Sequence, residues 1–327
     1  MVLTSRRTGE SGTAVRIAFY IPPQVHILDV CGPIHVFYEA RDMGLPIELR
    51  FLSAGALEVE SSSGLFFSRL EPFADVELGA GDFLFIPGLI HELWKDDEFH
   101  KANRAFYSWV KERYAEGVKL AAVCTGSFLL AETGLLNGRS CTTHWRYTER
   151  MGERFKEAAV VNNRLFVEEE GIFTSAGVSS GIDLALYLLE RIYDTALALR
   201  VAREVVIYIR RGEEDPQVSI FLQYRNHLDE RVHKVQDVIS NKLEEKHPIE
   251  ELADVVNTSP RNLTRLFKKT TGITVGEYID KLRVERAQQL LQTGQKVDYI
   301  ASQIGYADAN QLRAVLRKYK RPLPSHQ

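Results

Sequence analysis

KLAAVCTGSFLLAET, residues 119–133, passes from an unbroken apolar run to a helical pattern across a two-residue turn. Lys119–Cys124 is short and apolar on both faces, which predicts a strand buried inside a parallel sheet. Ser127–Thr133 predicts a helix. A thiol, Cys124, therefore stands at the tip of a strand–turn–helix elbow. A helix N-terminus there offers backbone N–H donors to an anion and lowers a thiol pKa. Open α/β sheets bind ligands beyond the carboxyl ends of their strands, so the elbow marks a candidate site.

The same pattern extends in both directions. Upstream, RIAFYI (16–21) ends at Pro22-Pro23 and predicts a buried strand. Pro33–Arg41 is helix-compatible, Ile47–Ala54 and Asp82–Pro87 predict strands, and Asn103–Glu116 an amphipathic helix. Downstream come a short strand at Ser140–His144, a strand pair at Leu165–Glu169 and Ile172–Ser175, and helices at Gly181–Tyr193 and Thr195–Arg211. This alternation predicts an α/β sandwich around a mostly parallel, flavodoxin-like sheet. Its chemically suggestive loops hold Asp29, Cys31 and Gly32, then Pro87-Gly88, then Cys124-Thr125-Gly126-Ser127. Trp94, Trp145 and Tyr147 are candidate aromatic lining.

The chain has 327 residues, room for two domains, with 45% hydrophobic and 26% charged residues, ordinary values that exclude a mainly disordered or fibrous protein. No apolar run approaches the ~18 residues of a membrane span. The first fifteen residues lack the apolar core of a secretion signal, so the chain is expected in the cytoplasm. Cys31, Cys124 and Cys141 are too few and scattered for a disulfide framework or zinc cluster. They read as reduced thiols, and no residue set implies a metal or a cofactor. The net charge of −3 hides an asymmetry: residues 231–327 carry 17 Lys and Arg against 11 Asp and Glu, and the rest 24 against 33. A basic tail on an acidic body suggests that one part meets a polyanion.

FLFIPG, AAVCTGSFLLAETGLLNGR and TTHW resemble the PfpI-like branch of the class I glutamine amidotransferase-like superfamily over roughly Arg16–Tyr193. The resemblance implies that Cys124 is the nucleophile or redox position, with His144 its histidine and Asp29 the acidic residue after the first strand. Two positions depart from the family's peptidases. Thr125 stands where they carry histidine, and Leu89 replaces the second glycine of their Pro-Gly-Gly turn. Thr125 cannot act as a base, and Leu89 alters the loop that would build an oxyanion pocket, so a ligand-sensing body is expected in place of an enzyme.

Residues 211–231, with Gly212, Glu213, Glu214 and Pro216, read as a linker, and beyond them every segment reads as helical. Val232–Leu243 and Pro248–Val255 lead to a tight turn, Asn257-Thr258-Ser259, whose Ser259 can cap the next helix with Pro260 at its first position. In Pro260–Thr270, Leu263, Leu266 and Phe267 point inward, leaving Arg261, Asn262, Thr264, Arg265, Lys268 and Lys269 outside. Two short helices with a basic, polar second member have the form of a DNA-reading helix-turn-helix. The pattern recurs: Ile300-Ala301 parallels Leu252-Ala253 and Leu312 and Leu316 parallel Leu263 and Phe267, at offsets of 48 and 49 residues. Val275–Gln292 reads as a rigid helical spacer. Two reading helices so joined can enter successive major grooves ~34 Å apart.

ELADVVNTSPRNLTRLFKKTTG, Arg283, Ala287 and IASQIGYADANQLRAVLRK resemble the AraC/XylS family of transcription regulators, from about Val232 to the chain end. The resemblance implies base-facing positions at Pro260, Arg261, Asn262, Thr264 and Arg265, and in the second copy at Asn310, Gln311, Arg313 and Ala314. Lys268, Arg317 and Lys318 then lie nearer the phosphates. Leucines at 312 and 316 and the alanine at 314 depart from the family's aromatic and arginine positions. Arg313, Arg317, Lys318, Lys320 and Arg321 keep the second copy basic, so it is expected chiefly to grip backbone.

An amidotransferase-like body joined to such a tail resembles the GlxA-like regulators. That resemblance implies a ligand-sensing domain at 14–210, a linker at 211–231 and a DNA-binding domain at 232–327. The implied partners are double-stranded DNA with tandem half-sites, a small nitrogen-containing effector, a second copy of the chain and, for an activator, RNA polymerase; no membrane is involved. The expected ligand-binding residues are Asp29, Cys31, Gly88, Cys124, Thr125, His144 and Trp145. The rival expectation is a thiol-dependent hydrolase or redox sensor using Cys124 with His144, which requires a low-pKa thiol.

Overall fold

The computed structural model describes residues 14–207, 211–213, 216–291 and 295–319. The first thirteen residues, Gln292, and Lys320 to Pro324 lie outside the described residues. The chain divides into two compact units that part between Gln217 and Val218.

In the first unit the apolar runs become one sheet, built of β1 (Val15–Tyr20), β2 (Ile47–Ser53), β3 (Glu71–Pro72), β4 (Phe83–Ile86), β5 (Lys119–Val123), β6 (Phe166–Glu169) and β7 (Ile172–Ser175). Their order across the sheet is β6-β7-β5-β4-β1-β2-β3. Neighbours are parallel except β6 and β7, which pair antiparallel as a hairpin. Side chains of a strand alternate between faces, so Ile17 and Phe19 enter one apolar layer and Ala18 and Tyr20 the other. Helices Ile27–Asp42 and Ser179–Ile192 cover the first layer, and Arg104–Ala115 and Gly126–Glu132 the second. Cover on both faces is why β5 is an unbroken apolar run, with Leu120 to Val123 fully buried. The α/β sandwich is as expected.

Three elements differ from expectation. The helix expected from Pro33 begins at Ile27 and holds Pro33 in its interior. Ile27 and Val30 extend its apolar pattern upstream, and Pro33 simply has no N–H to give the carbonyl one turn back. Of Ser140–His144 only Ser140–Cys141 forms a strand, paired with Ala159–Val160 outside the main sheet. The helix from Thr195 stops at Glu204, before Val206 turns to a φ of 55°. Arg211, its expected end, instead bonds Asp183 through Nε at 3.1 Å.

The second unit is helical: Ile220–Gln223, Glu230–Asn241, Ile249–Val255, Pro260–Thr271, Val275–Leu291, Val297–Gln303 and Ala309–Lys318. It has two apolar cores, one per helix-turn-helix. Helix Val275–Leu291 gives Val275, Tyr278 and Leu282 to the first core and Val284 and Ala287 to the second. Arg283, between those sets, fastens the copies together. Its Nε and Nη2 donate to the carbonyls of Leu243 at 3.0 Å and Glu245 at 2.8 Å. Its guanidinium lies 5.3 Å from the Tyr306 ring centre. At Gly305, φ is +79° and a Cβ would lie 2.5 Å from Arg283 Nη2, so the second turn requires glycine there.

Candidate functional site

β5 delivers Cys124 to the elbow in the left-handed region, φ +58°, a costly conformation for a residue with a side chain. Its N–H donates to the Ser175 carbonyl at 2.9 Å, and its own carbonyl accepts from the hydroxyls of Ser127 at 2.7 Å and Thr143 at 2.9 Å. These bonds hold the turn in place. Gly177 presses so close that a Cβ there would lie 2.2 Å from that of Cys124. The cysteine is 5% exposed.

Asp29 lies beneath the thiol. The earlier helix start places it in the first turn, where its Oδ1 accepts from the Val178 N–H at 2.6 Å. Its buried Oδ2 faces Cys124 and Gly88 without a well-formed hydrogen bond. Burial raises the Asp29 carboxyl pKa, opposed by the Val178 N–H and by the nearby His26. Burial and then the Asp29 charge push the Cys124 thiol well above its ordinary value. The thiol pKa is thus raised by its surroundings, opposite in direction to the depression expected of a cysteine at a helix N-terminus. Desolvation outweighs the dipole here.

The other expected site residues divide. Thr125 and Gly88 are at the elbow: Thr125 Oγ1 accepts from the Leu89 N–H at 3.1 Å and donates to the Leu89 carbonyl at 3.0 Å. His144 is half-buried nearby, its pKa lowered by burial and by Arg146 and His26. Its Nδ1 accepts from the Arg146 N–H at 3.3 Å, and among the described residues no hydrogen bond joins it to Cys124. Trp145 is 52% exposed beside it. Trp94 is fully buried and stacks on Phe128, so it belongs to the core. Cys31 is not brought to the elbow. It stands on the outward side of helix Ile27–Asp42 and lines an apolar groove with Leu28, His35, Phe51 and Ile182. Residues two apart on a helix face nearly opposite ways, which separates it from Asp29.

Sequence reasoning missed Gln217. It falls inside the expected linker, yet its Nε2 donates to the carbonyls of Thr143 and Arg164, both at 2.9 Å. Through Thr143, the residue before His144, it ties the end of the first unit to a residue whose hydroxyl bonds the Cys124 carbonyl.

In the first helix-turn-helix, Ser259 Oγ accepts from the Asn262 N–H at 3.3 Å and Pro260 occupies the first turn. Leu263 and Phe267 are fully buried, while Arg261, Asn262, Thr264, Arg265, Lys268 and Lys269 are exposed. The Thr264 hydroxyl donates to the Pro260 carbonyl at 2.9 Å. In the second copy Asn310 and Arg317 are exposed, as is Ala314, and Arg313 is half-buried. Two expected DNA-facing residues are engaged within the fold. Asp308 Oδ1 caps its helix by accepting from the Gln311 N–H at 2.8 Å, and Gln311 Oε1 accepts from the Ala307 N–H, one residue before the cap, at 2.8 Å. Lys318 Nζ pairs with Asp280 at 2.8 Å.

The sequence pattern of the DJ-1/PfpI family matches residues 15–191, more than half of the chain. The chain belongs to the DJ-1/PfpI family. A helix-turn-helix domain pattern, of AraC type, matches residues 252–326. Among curated relatives, the HTH-type transcriptional regulator GbdR of Pseudomonas aeruginosa is 34% identical over 222 residues, covering 66% of this chain and 59% of that protein. The match thus spans less than two thirds of that relative's length. Isonitrile hydratase of Pseudomonas putida is 29% identical over 195 residues, 58% of this chain and 78% of that protein. The family fold therefore serves regulators and an enzyme alike. A solved AraC family transcriptional regulator from Pseudomonas putida superposes with a TM-score of 0.51 at 20% identity, over 58% of this chain and 99% of that one, which shows the shared fold. Among the described residues no helix is long and apolar enough to cross a membrane.

Proposed function

We propose that this DJ-1/PfpI protein is a transcription regulator. Residues 232–327 bind tandem sites on double-stranded DNA, residues 14–210 bind a small nitrogen-containing effector without turning it over, and residues 211–231 connect them. The observation that carries the reading is the outer face of Pro260–Thr271. Arg261, Arg265, Lys268 and Lys269 stand exposed there, and none forms an ion pair among the described residues. Arginine in the major groove can bond both acceptors of a guanine, and lysines near the helix end suit phosphates.

Three features support sensing over turnover. Burial and Asp29 raise the Cys124 thiol pKa, no hydrogen bond joins His144 to Cys124 among the described residues, and the Leu89 N–H, a donor an oxyanion would need, is occupied by Thr125. The buried Asp29 carboxylate, set against Cys124 and Gly88, is the acidic group that an N–H or ammonium group of the effector would meet, with half-buried His144 and exposed Trp145 nearby. Family analogy extends the reading to a homodimer that activates through RNA polymerase. Fluorescence anisotropy on a duplex enriched by the protein tests it: Arg261→Ala and Arg265→Ala should each cost ~1–3 kcal/mol of specific binding. Unchanged affinity in both variants overturns it.

A further inference from the structure

Beside the first reading helix lies a basin of about 440 Å³ lined by Arg231, Thr258, Asn262, Arg265, Leu266 and Lys269. Four of these, Asn262, Arg265, Leu266 and Lys269, have the spacing of one helix side. Arg261, Thr264 and Lys268 share the neighbouring side. The outer surface of the helix is therefore two stripes, with Arg265 at their boundary. The stripe with Asn262 and Lys269 faces a wall, formed by Arg231 in the first turn of Glu230–Asn241. A helix side walled by another element cannot lie on the floor of a groove. It faces the lip, where the phosphates are.

The chemistry of the basin suits a phosphate. Two cations, Arg231 and Lys269, line it with Arg265 at its edge toward the other stripe, and the Thr258 hydroxyl and Asn262 amide are neutral donors. Asp229, beside Arg231, is engaged as a cap: its Oδ1 accepts from the N–H groups of Arg231 at 3.0 Å and Val232 at 3.2 Å. Its Oδ2 reaches the Arg231 guanidinium at 3.4 Å, an exposed pair too weak to hold Arg231 against a stronger anion.

We propose that this basin seats a DNA backbone phosphate, and that Arg231, Asn262 and Lys269 set the register of the reading helix while Arg261, Thr264 and Arg265 read bases. The inference rests on the DNA-binding reading of the tail. It moves Asn262 from base reader to phosphate ligand and adds Arg231, which precedes the motif.

The test uses the full chain on a selected duplex and a shuffled duplex of equal composition, with salt titrated. Arg231→Ala should weaken both complexes by the same factor and lower the slope of log affinity against log salt by about one. Between about 50 and 200 mM salt that variant should then lose roughly threefold less affinity than the wild type does. Arg231→Lys should restore the slope. Asn262→Ala should weaken both complexes equally and leave base preference unchanged. Lys269→Ala, at an exposed position, gives the same slope test should Arg231→Ala unfold. An unchanged slope in the cation variants, or an altered base preference in Asn262→Ala, overturns the clamp while leaving the regulator. A wild type with no selectable duplex overturns the regulator itself and the clamp with it.

Discussion

Thr125 and Leu89 are bonded to each other: one hydroxyl satisfies both the N–H and the carbonyl of the leucine, at 3.1 and 3.0 Å. These are the two positions at which the elbow departs from the peptidase pattern. The Thr125 hydroxyl occupies the Leu89 N–H, which is therefore not free to serve as an oxyanion donor.

Removing that hydroxyl should cost stability. Thr125→Val keeps the shape but leaves two buried backbone groups of Leu89 without this partner, so a loss of about 1–3 kcal/mol is expected in urea unfolding. Unchanged stability would show that the bond is dispensable.

The three cysteines should differ in reactivity. Cys31 is exposed, whereas Cys124 is buried and raised, and burial pushes Cys141 up to about 12. Iodoacetamide at neutral pH, mapped by mass spectrometry, should mark Cys31 first and leave Cys124 largely unmodified. Labelling of Cys124 ahead of Cys31 would return the thiol enzyme to contention.

Asp29 gives a pH signature. Its carboxyl pKa is raised on folding, so the ionised form opposes folding at pH above the folded value, and the penalty vanishes below the unfolded value of about 3.9. Asp29→Asn removes an ionisation penalty present only at the higher pH. The stability of this variant relative to wild type should therefore be greater at about pH 7 than at about pH 4. A pH-independent difference would mean that the carboxyl does not titrate as described.

Gly305 tests the joint between the two helix-turn-helices. Alanine there meets both a left-handed φ and, at 2.6 Å, the Glu244 carbonyl. A cost of about 1–3 kcal/mol or more is expected, read as a lower melting temperature of the tail. A variant that melts like the wild type would contradict the joint.

The fold was largely legible because burial leaves a pattern. β5 is apolar throughout since both faces of the sheet are covered, and the tail repeats a spacing that two similar cores impose. The site was less legible, because its geometry comes from long-range placement. Asp29 and Cys31 look like neighbours in sequence, but the helix beginning at Ile27 turns them to different sides. Gln217 sits among linker-like residues, and only the folded body presents the carbonyls it bonds. Gln311 and Lys318 have DNA-reading chemistry, yet the Ala307–Asp308 turn and Asp280 engage them. Asp308 was readable as a helix cap from its place before an apolar helical pattern; the Gln311 bond to Ala307 and the ion pair were not.

The most direct measurement is selection of duplexes from a random-sequence pool by the full chain, followed by sequencing of the bound fraction. An enriched site is expected whose better-defined block answers to Arg261, Thr264 and Arg265, with a weaker block about one helical turn, ~34 Å, away. Recovery of the input distribution, with no sequence enriched, would contradict it.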